Sequence, residues 1–229
     1  MATKSKKKVV YTPPPDIAPG TKVYSEKNFD FILADPAWKG PYGTESHYDT
    51  MKDEEIINMP VEALAADNAV LFLWTTNGSL PLALEVMKAW GFKYRTNFVW
   101  CKPYMGQGDP LRNSTEMYLV GLRGHLPASF KGQMNWSILP RQEHSHKPEE
   151  VYVIAERLYP NAKRLELFAR HRSSNPSWYA WGNECDGGSD IYIPGYPVPK
   201  YSDRVKFTNP EDASSEPATY TGRHTKEEA

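Results

Sequence analysis

The stretch Phe31-Ile32-Leu33-Ala34-Asp35-Pro36-Ala37-Trp38 runs apolar for four residues, then breaks at an Asp-Pro pair followed closely by a large indole. A short apolar run closed by a turn signal reads as a strand buried on both faces. Proline has no N–H for the ladder, so the strand must end by Asp35. A carboxylate, a fixed turn and an aromatic ring are thereby gathered at a strand's C-terminal end. In open α/β sheets ligands bind along that edge. On these residues alone, a capped strand end beside a core tryptophan is the simpler reading.

The same group suits one demanding reaction, alkylation of an exocyclic amine on a flat base. Such an amine delocalises its lone pair into the ring and is a poor nucleophile. Two acceptors that hold both of its hydrogens favour a pyramidal, nucleophilic nitrogen. The Asp35 carboxylate and the Pro36 carbonyl can supply them, and the Trp38 ring can stack on the base.

Working outward, Ala69–Thr75 is a second continuous apolar run, and Tyr94–Cys101, Glu116–Gly121 and Arg164–Ala169 are further strand candidates. Leu80–Trp90 has helical spacing, with Gly91 as its C-cap. Asp53–Asn58 and Val61–Ala66 read as short helical pieces. Lys147-Pro148-Glu149-Glu150 opens another helix, whose apolar face is Val151, Ile154, Ala155 and Leu158. Alternating strands and helices predict one α/β domain, a mostly parallel sheet with helices on both faces. Two irregular stretches, Lys102–Asn113 and Arg123–Arg141, follow strands. Arg112, Arg123, Lys131 and Arg141 in these stretches are either solubility charges or a dispersed basic surface for phosphates, with the second preferred. Residues 1–21 read as a flexible arm, 22–187 as the folded domain, and 188–229 as a Pro/Gly/polar tail, with Pro194 onward mostly disordered on the surface.

The chain has 229 residues, 40% of them hydrophobic, enough for one full core. Its net charge of −1 excludes a uniformly basic nucleic-acid binder, so any such contact must come from a local patch. No run is long and apolar enough for a membrane span, and the charged start is not followed by the apolar stretch of a secretory signal. Cys101 and Cys185 offer no disulfide framework, which points to a reduced cytoplasmic setting. His144 and His146 lack a clear third metal ligand and read as a solvated loop.

Several stretches together carry a resemblance: Asp35-Pro36-Ala37-Trp38, Leu71-Phe72-Leu73-Trp74, Val99-Trp100-Cys101-Lys102, Glu116 through Gly121, His146-Lys147-Pro148, Glu166-Leu167-Phe168-Ala169-Arg170 and Trp181-Gly182-Asn183-Glu184. In this order, the chain resembles the adenine-N6 methyltransferases related to the seventy-kilodalton subunit of mRNA adenosine methyltransferase, a family with bacterial and phage members. The resemblance implies a Rossmann-like fold with permuted motif order and S-adenosylmethionine as cofactor. It implies Asp35, Pro36 and Trp38 as catalytic elements. It implies Lys147 as partner of the cofactor's carboxylate, Arg170, Arg172 and Ser173 along the cofactor, and Asn183 and Glu184 at its ribose. Asp16 and Ile17, with Asp35 itself, would complete the cofactor contacts. Tyr48, Asn113 and Glu116 fall where family members meet the target base, and Trp38, Lys102 and Arg112 complete the expected substrate-binding set. The resemblance also places the strands before 102–113 and 123–141 beside the catalytic mouth. Two departures stand out: Ala37 replaces the motif's usual second proline, and Arg172-Ser173 replaces a commoner His-Asn pair.

The expectation is therefore methylation of the adenine amino group in DNA, with RNA as the alternative substrate and a homo- or heterodimer as an open assembly. The competing class is a non-catalytic subunit of the same fold, against which intact Asp35, Lys147 and Glu184 argue. A nicotinamide oxidoreductase lacks its Gly-x-Gly-x-x-Gly turn.

Overall fold

The computed structural model describes residues 22–24, 29–39, 50–106, 108–140 and 147–208. Phe29–Ala34 forms β2, after a short β1 at Lys22–Tyr24. Asp53–Ile57 (α1) and Val61–Leu64 (α2) lead into β3 at Ala65–Thr75, followed by α3 at Leu80–Ala89. Lys93–Cys101 is β4, Thr115–Arg123 is β5 and Trp136–Ile138 is β6. The helix α4 spans Glu150–Leu158, β7 Arg164–Leu167, β8 Trp178–Trp181 and β9 Lys206–Thr208.

Seven strands form one sheet in the order β6-β4-β5-β3-β2-β7-β8. Only β5 runs against its neighbours, so the sheet is mostly parallel, as the apolar runs predict. The central β2 explains its own composition. Ile32 and Ala34 face one core with Leu71, Leu73, Val86 and Met87, while Phe31 and Leu33 face another with Phe72, Ile154 and Ala155. A strand covered on both sides needs apolar residues at every position, not alternate ones. One core is closed by α1, α2 and α3, the other by α4.

This arrangement makes β2 the switch point. The chain leaves β2 toward β3 on one side and returns as β7 on its other side, both parallel to it. The connecting helices diverge to opposite faces, which opens a crevice beyond the C-terminal end of β2. Asp35 is the first residue past that end.

Three expectations need correction. First, Arg123 and Lys131 do not lie beside the mouth. Because β5 is antiparallel, its start at Thr115 and Glu116 faces the catalytic edge and its end at Arg123 faces the opposite edge. There Arg123 donates to the Glu62 carbonyl at 2.8 Å, and the next turn is held by the His125 N–H on Asn68. Lys131 lines a cavity with Leu158 and Tyr159 at the far end of α4. Second, residues 188–205 are not a surface tail. Ile191, Ile193 and Val198 are fully buried against the α1–α3 side of the sheet, and β9 pairs with β1. Third, residues 123–141 are not wholly irregular, since β6 forms there and pairs with β4. The sequence reading also left Trp178–Trp181 without an element; it is the edge strand β8.

Candidate active site

Local backbone chemistry shapes the mouth. After β2, the Trp38 N–H donates to the Pro36 carbonyl at 2.8 Å, a tight i→i+2 turn, and the Met51 N–H ties Ala37 down at 3.0 Å. A carbonyl has two acceptor sites, so Pro36 keeps one for a ligand. Ala37 in place of a proline does not open the turn. The Trp38 ring is buried, and its N–H donates to the Trp74 carbonyl at 2.9 Å. In this conformation it braces the turn against β3 and offers no exposed face for stacking.

Asp35 is met by Lys147, which enters just before α4. The ammonium lies 2.6 Å from Asp35 Oδ2 and 3.6 Å from Glu116 Oε2. Glu116, at the start of β5, also pairs with Lys102, at the end of β4. Lys147 and Lys102 further sit over the Trp74 and Trp100 rings, at 5.5 and 4.6 Å. Four charged residues from four separate chain segments thus form one alternating chain along the strand ends, Asp35–Lys147–Glu116–Lys102. Burial pushes the Asp35 carboxyl above the ordinary carboxylate range, and the Lys147 ammonium only partly opposes it. For Glu116 burial acts upward too, but two ammonium groups outweigh it and hold the carboxyl below its ordinary range.

On the other flank, β7 ends in a sharp reversal. Phe168 adopts a left-handed φ of 65°, rare for a bulky residue, and its ring packs edge-on against Trp181. Gly182 lies so close that a Cβ there would sit 2.1 Å from the Ala169 carbonyl oxygen. The turn delivers Arg170, which pairs with Glu184 at 2.9 Å on the exposed rim. Arg172 is differently committed. Its guanidinium binds Asp190 through two nitrogens, at 2.7 and 2.8 Å, and also the Gly188 carbonyl. It clamps the C-terminal segment and is not free for a cofactor in this conformation. The Ser173 hydroxyl accepts from the Asn175 N–H at 3.2 Å, and Asn183 is exposed beside Glu184.

Asn113 and Arg112 lie on the 102–114 loop, which is closed at its base by the Lys102 N–H on the Ser114 carbonyl at 2.7 Å. Asn77, just past β3, holds the Asn113 side chain at 3.0 Å. The structure therefore brings together Asp35, Pro36, Lys147, Glu116, Lys102 and the Asn113 loop on one edge, with Arg170 and Glu184 beside them. Asp16, Ile17, Tyr48, Arg141, His144 and His146 lie outside the described residues.

The parts played by two groups escaped the sequence. Asn77 carried a signal, a polar residue two positions past the end of an apolar strand. Glu166 opens one of the stretches that carry the resemblance, but nothing in the sequence pointed to its partner Tyr152. It sits in β7 beside Leu33, and both of its oxygens accept from the Tyr152 hydroxyl, at 3.0 and 2.9 Å. Burial lifts its carboxyl to about 8 despite that bond.

The MT-A70 family model matches residues 29–184. The chain belongs to the MT-A70 family. The N(6)-adenosine-methyltransferase MT-A70-like protein of Drosophila melanogaster is 32% identical over 169 residues, covering 69% of this chain and 27% of that protein. The human N(6)-adenosine-methyltransferase catalytic subunit METTL3 is 32% identical over 171 residues, covering 69% of this chain and 28% of that protein. A Mycoplasma protein, Type II methyltransferase M.MunI, is 29% identical over 186 residues, covering 69% of this chain and 78% of that protein. The chain thus spans about a quarter of the length of the eukaryotic MT-A70 relatives. Among the described residues no helix is long and apolar enough to cross a membrane, and no cluster of metal-ligating side chains occurs.

Proposed function

We propose that this MT-A70 chain transfers a methyl group from S-adenosylmethionine to the exocyclic amine of adenine in DNA. The observation that carries the reading is the pairing of an acceptor carboxylate, Asp35, with the adjacent Pro36 carbonyl at the switch point of the sheet. Lys147 occupies Asp35 Oδ2, which leaves Oδ1 and the second Pro36 site for the two amine hydrogens. Holding both draws the nitrogen toward a pyramidal geometry and raises its nucleophilicity, an effect fixed in place before the reaction begins.

The donor set suits the cofactor as well. The Lys147 ammonium, now on Asp35, would meet its carboxylate, and Glu184, beside Arg170 on the rim, would accept from ribose hydroxyls. When bound, S-adenosylmethionine supplies an electrophilic methyl group. No covalent enzyme intermediate is required, since the amine can attack directly. Adenine in a duplex would have to leave the stack to reach Asp35.

DNA as substrate is favoured by the similarity to M.MunI, of which the matched region makes up 78%. RNA is the second reading, favoured by the similarity to the N(6)-adenosine-methyltransferases. The test is nucleoside mass spectrometry after incubating DNA and RNA with the chain and methyl-labelled cofactor. Label in N6-methyldeoxyadenosine is expected. Label in N6-methyladenosine from RNA alone would select the second reading, and no label in either, with cofactor unbound, would make the chain a non-catalytic member of the fold.

A further inference from the structure

Beyond the mouth, a hollow lies on the α4 face of the sheet, toward the opposite edge. It encloses about 550 Å³ between β4, β5, the C-terminal end of α4 and the covering segment 124–135. That size is within the range of small-molecule sites.

Its lining has a consistent chemistry. The floor is aromatic. Phe98 stacks on Tyr118 with centroids 4.9 Å apart and planes at 4°, and Tyr118 stacks on Phe72 at 4.4 Å and 16°. Phe130 adds a half-exposed ring from the covering segment. The rim carries Arg95, His125 and Lys131, and no carboxylate lines the cavity. Arg95 and Lys131 are exposed and make no ion pair among the described residues.

Tyr118 lines the cavity, and its hydroxyl makes no hydrogen bond to another described residue, so a ligand atom in the cavity can pair with it.

We propose that this cavity is a second binding site, separate from the Asp35 mouth, for a small planar aromatic anion of the nucleoside-monophosphate class. The flat base lies along the aromatic floor and meets the Tyr118 hydroxyl with a polar edge. The phosphate is held at the rim by Arg95 and Lys131, and the absence of any carboxylate leaves that rim attractive to an anion. This site does not depend on the methyl-transfer reading, because none of its residues belongs to the mouth.

The test is calorimetry of the full chain with thymidine 5′-monophosphate, which has no exocyclic amine, in saturating S-adenosylmethionine. The expected result is saturable binding that weakens about tenfold or more in the Arg95→Ala/Lys131→Ala double variant, the loss that charge-assisted hydrogen bonds impose. Tyr118→Phe should weaken it several-fold, and Lys88→Ala, which removes a charge from α3, should leave it unchanged. Both site variants replace exposed or isosteric groups, and unchanged thermal midpoints would confirm that they fold. Absent binding, equal weakening in Lys88→Ala, or binding of oligothymidylate without the mononucleotide would each overturn the assignment.

Discussion

Lys147 holds together two carboxylates whose charges would otherwise oppose each other, and this sets the behaviour of the mouth. The ionised Asp35 carboxylate is the stronger acceptor for an amine hydrogen, so activity should rise as pH rises through its pKa. That pKa is raised by burial and lowered chiefly by Lys147. Lys147→Met removes the lowering influence, so the acidic limb of the kcat profile at saturating cofactor should move to higher pH. An unmoved limb would mean that another group controls it. Asp35→Asn keeps one acceptor oxygen but loses the charge, and kcat should fall on the order of 10²-fold or more. Near-normal turnover would remove Asp35 from the chemistry. Glu166 gives a test of stability. Its carboxyl stands at about 8 in the fold against an ordinary value of 4.5. Below the lower value the group is protonated in both states. Across the window between them the unfolded chain releases a proton that the fold retains, so stability falls as pH rises. Glu166→Gln should flatten that decline, read as a smaller loss in urea midpoint between about pH 5 and pH 8 than in the parent. An identical pH dependence in both would show that Glu166 does not titrate in this range.

Elements differed in how much the sequence disclosed. The apolar runs of β2 and β3 are legible because strands covered on both faces exclude polar residues at every position. The site was legible for a related reason: Asp35 and Lys102 sit where such runs stop. The direction of β5 was not legible, since an apolar run reads the same in either orientation, and with it went the placement of Arg123 and Lys131. The C-terminal segment hid its role because Ile191, Ile193 and Val198 are scattered among prolines, glycines and tyrosines with no period. Their burial now predicts that deleting the chain after Gly187 is severely destabilising. At roughly 1.5–3 kcal/mol per buried side chain, three such residues supply about 5–9 kcal/mol, comparable to the whole stability of an ordinary domain. The truncated chain should show no cooperative thermal transition. A milder probe is Asp190→Ala, which strands Arg172 and frees the Ala180 N–H and Ser202 hydroxyl. It should cost about 3–5 kcal/mol, the range for breaking a buried charge pair. A truncation that melts like the parent would return this segment to the status of a surface tail.

At the scale of the molecule, the sheet separates two ends. The edge at the C-terminal end of β2 gathers Asp35, Lys147, Glu116, Lys102 and the 102–114 loop, while the end of β5 faces the other way. An overall charge of −1 leaves no general attraction for nucleic acid, so affinity must come from cations near the mouth. Arg112 is exposed on the loop there and has no ion pair among the described residues. Lys131 is equally exposed but lies at the far end, over the aromatic cavity. A matched pair of charge reversals therefore separates position from charge. Arg112→Glu should weaken DNA binding and reduce the slope of log affinity against log salt by about one phosphate contact, near 0.9 for a duplex. Affinity for S-adenosylmethionine should not change. Lys131→Glu alters net charge by the same amount and should leave both DNA affinity and salt slope as they were, while abolishing thymidine 5′-monophosphate binding. If the two variants weaken DNA binding equally, the strand runs across both ends of the sheet, and recognition is not confined to the edge that carries Asp35.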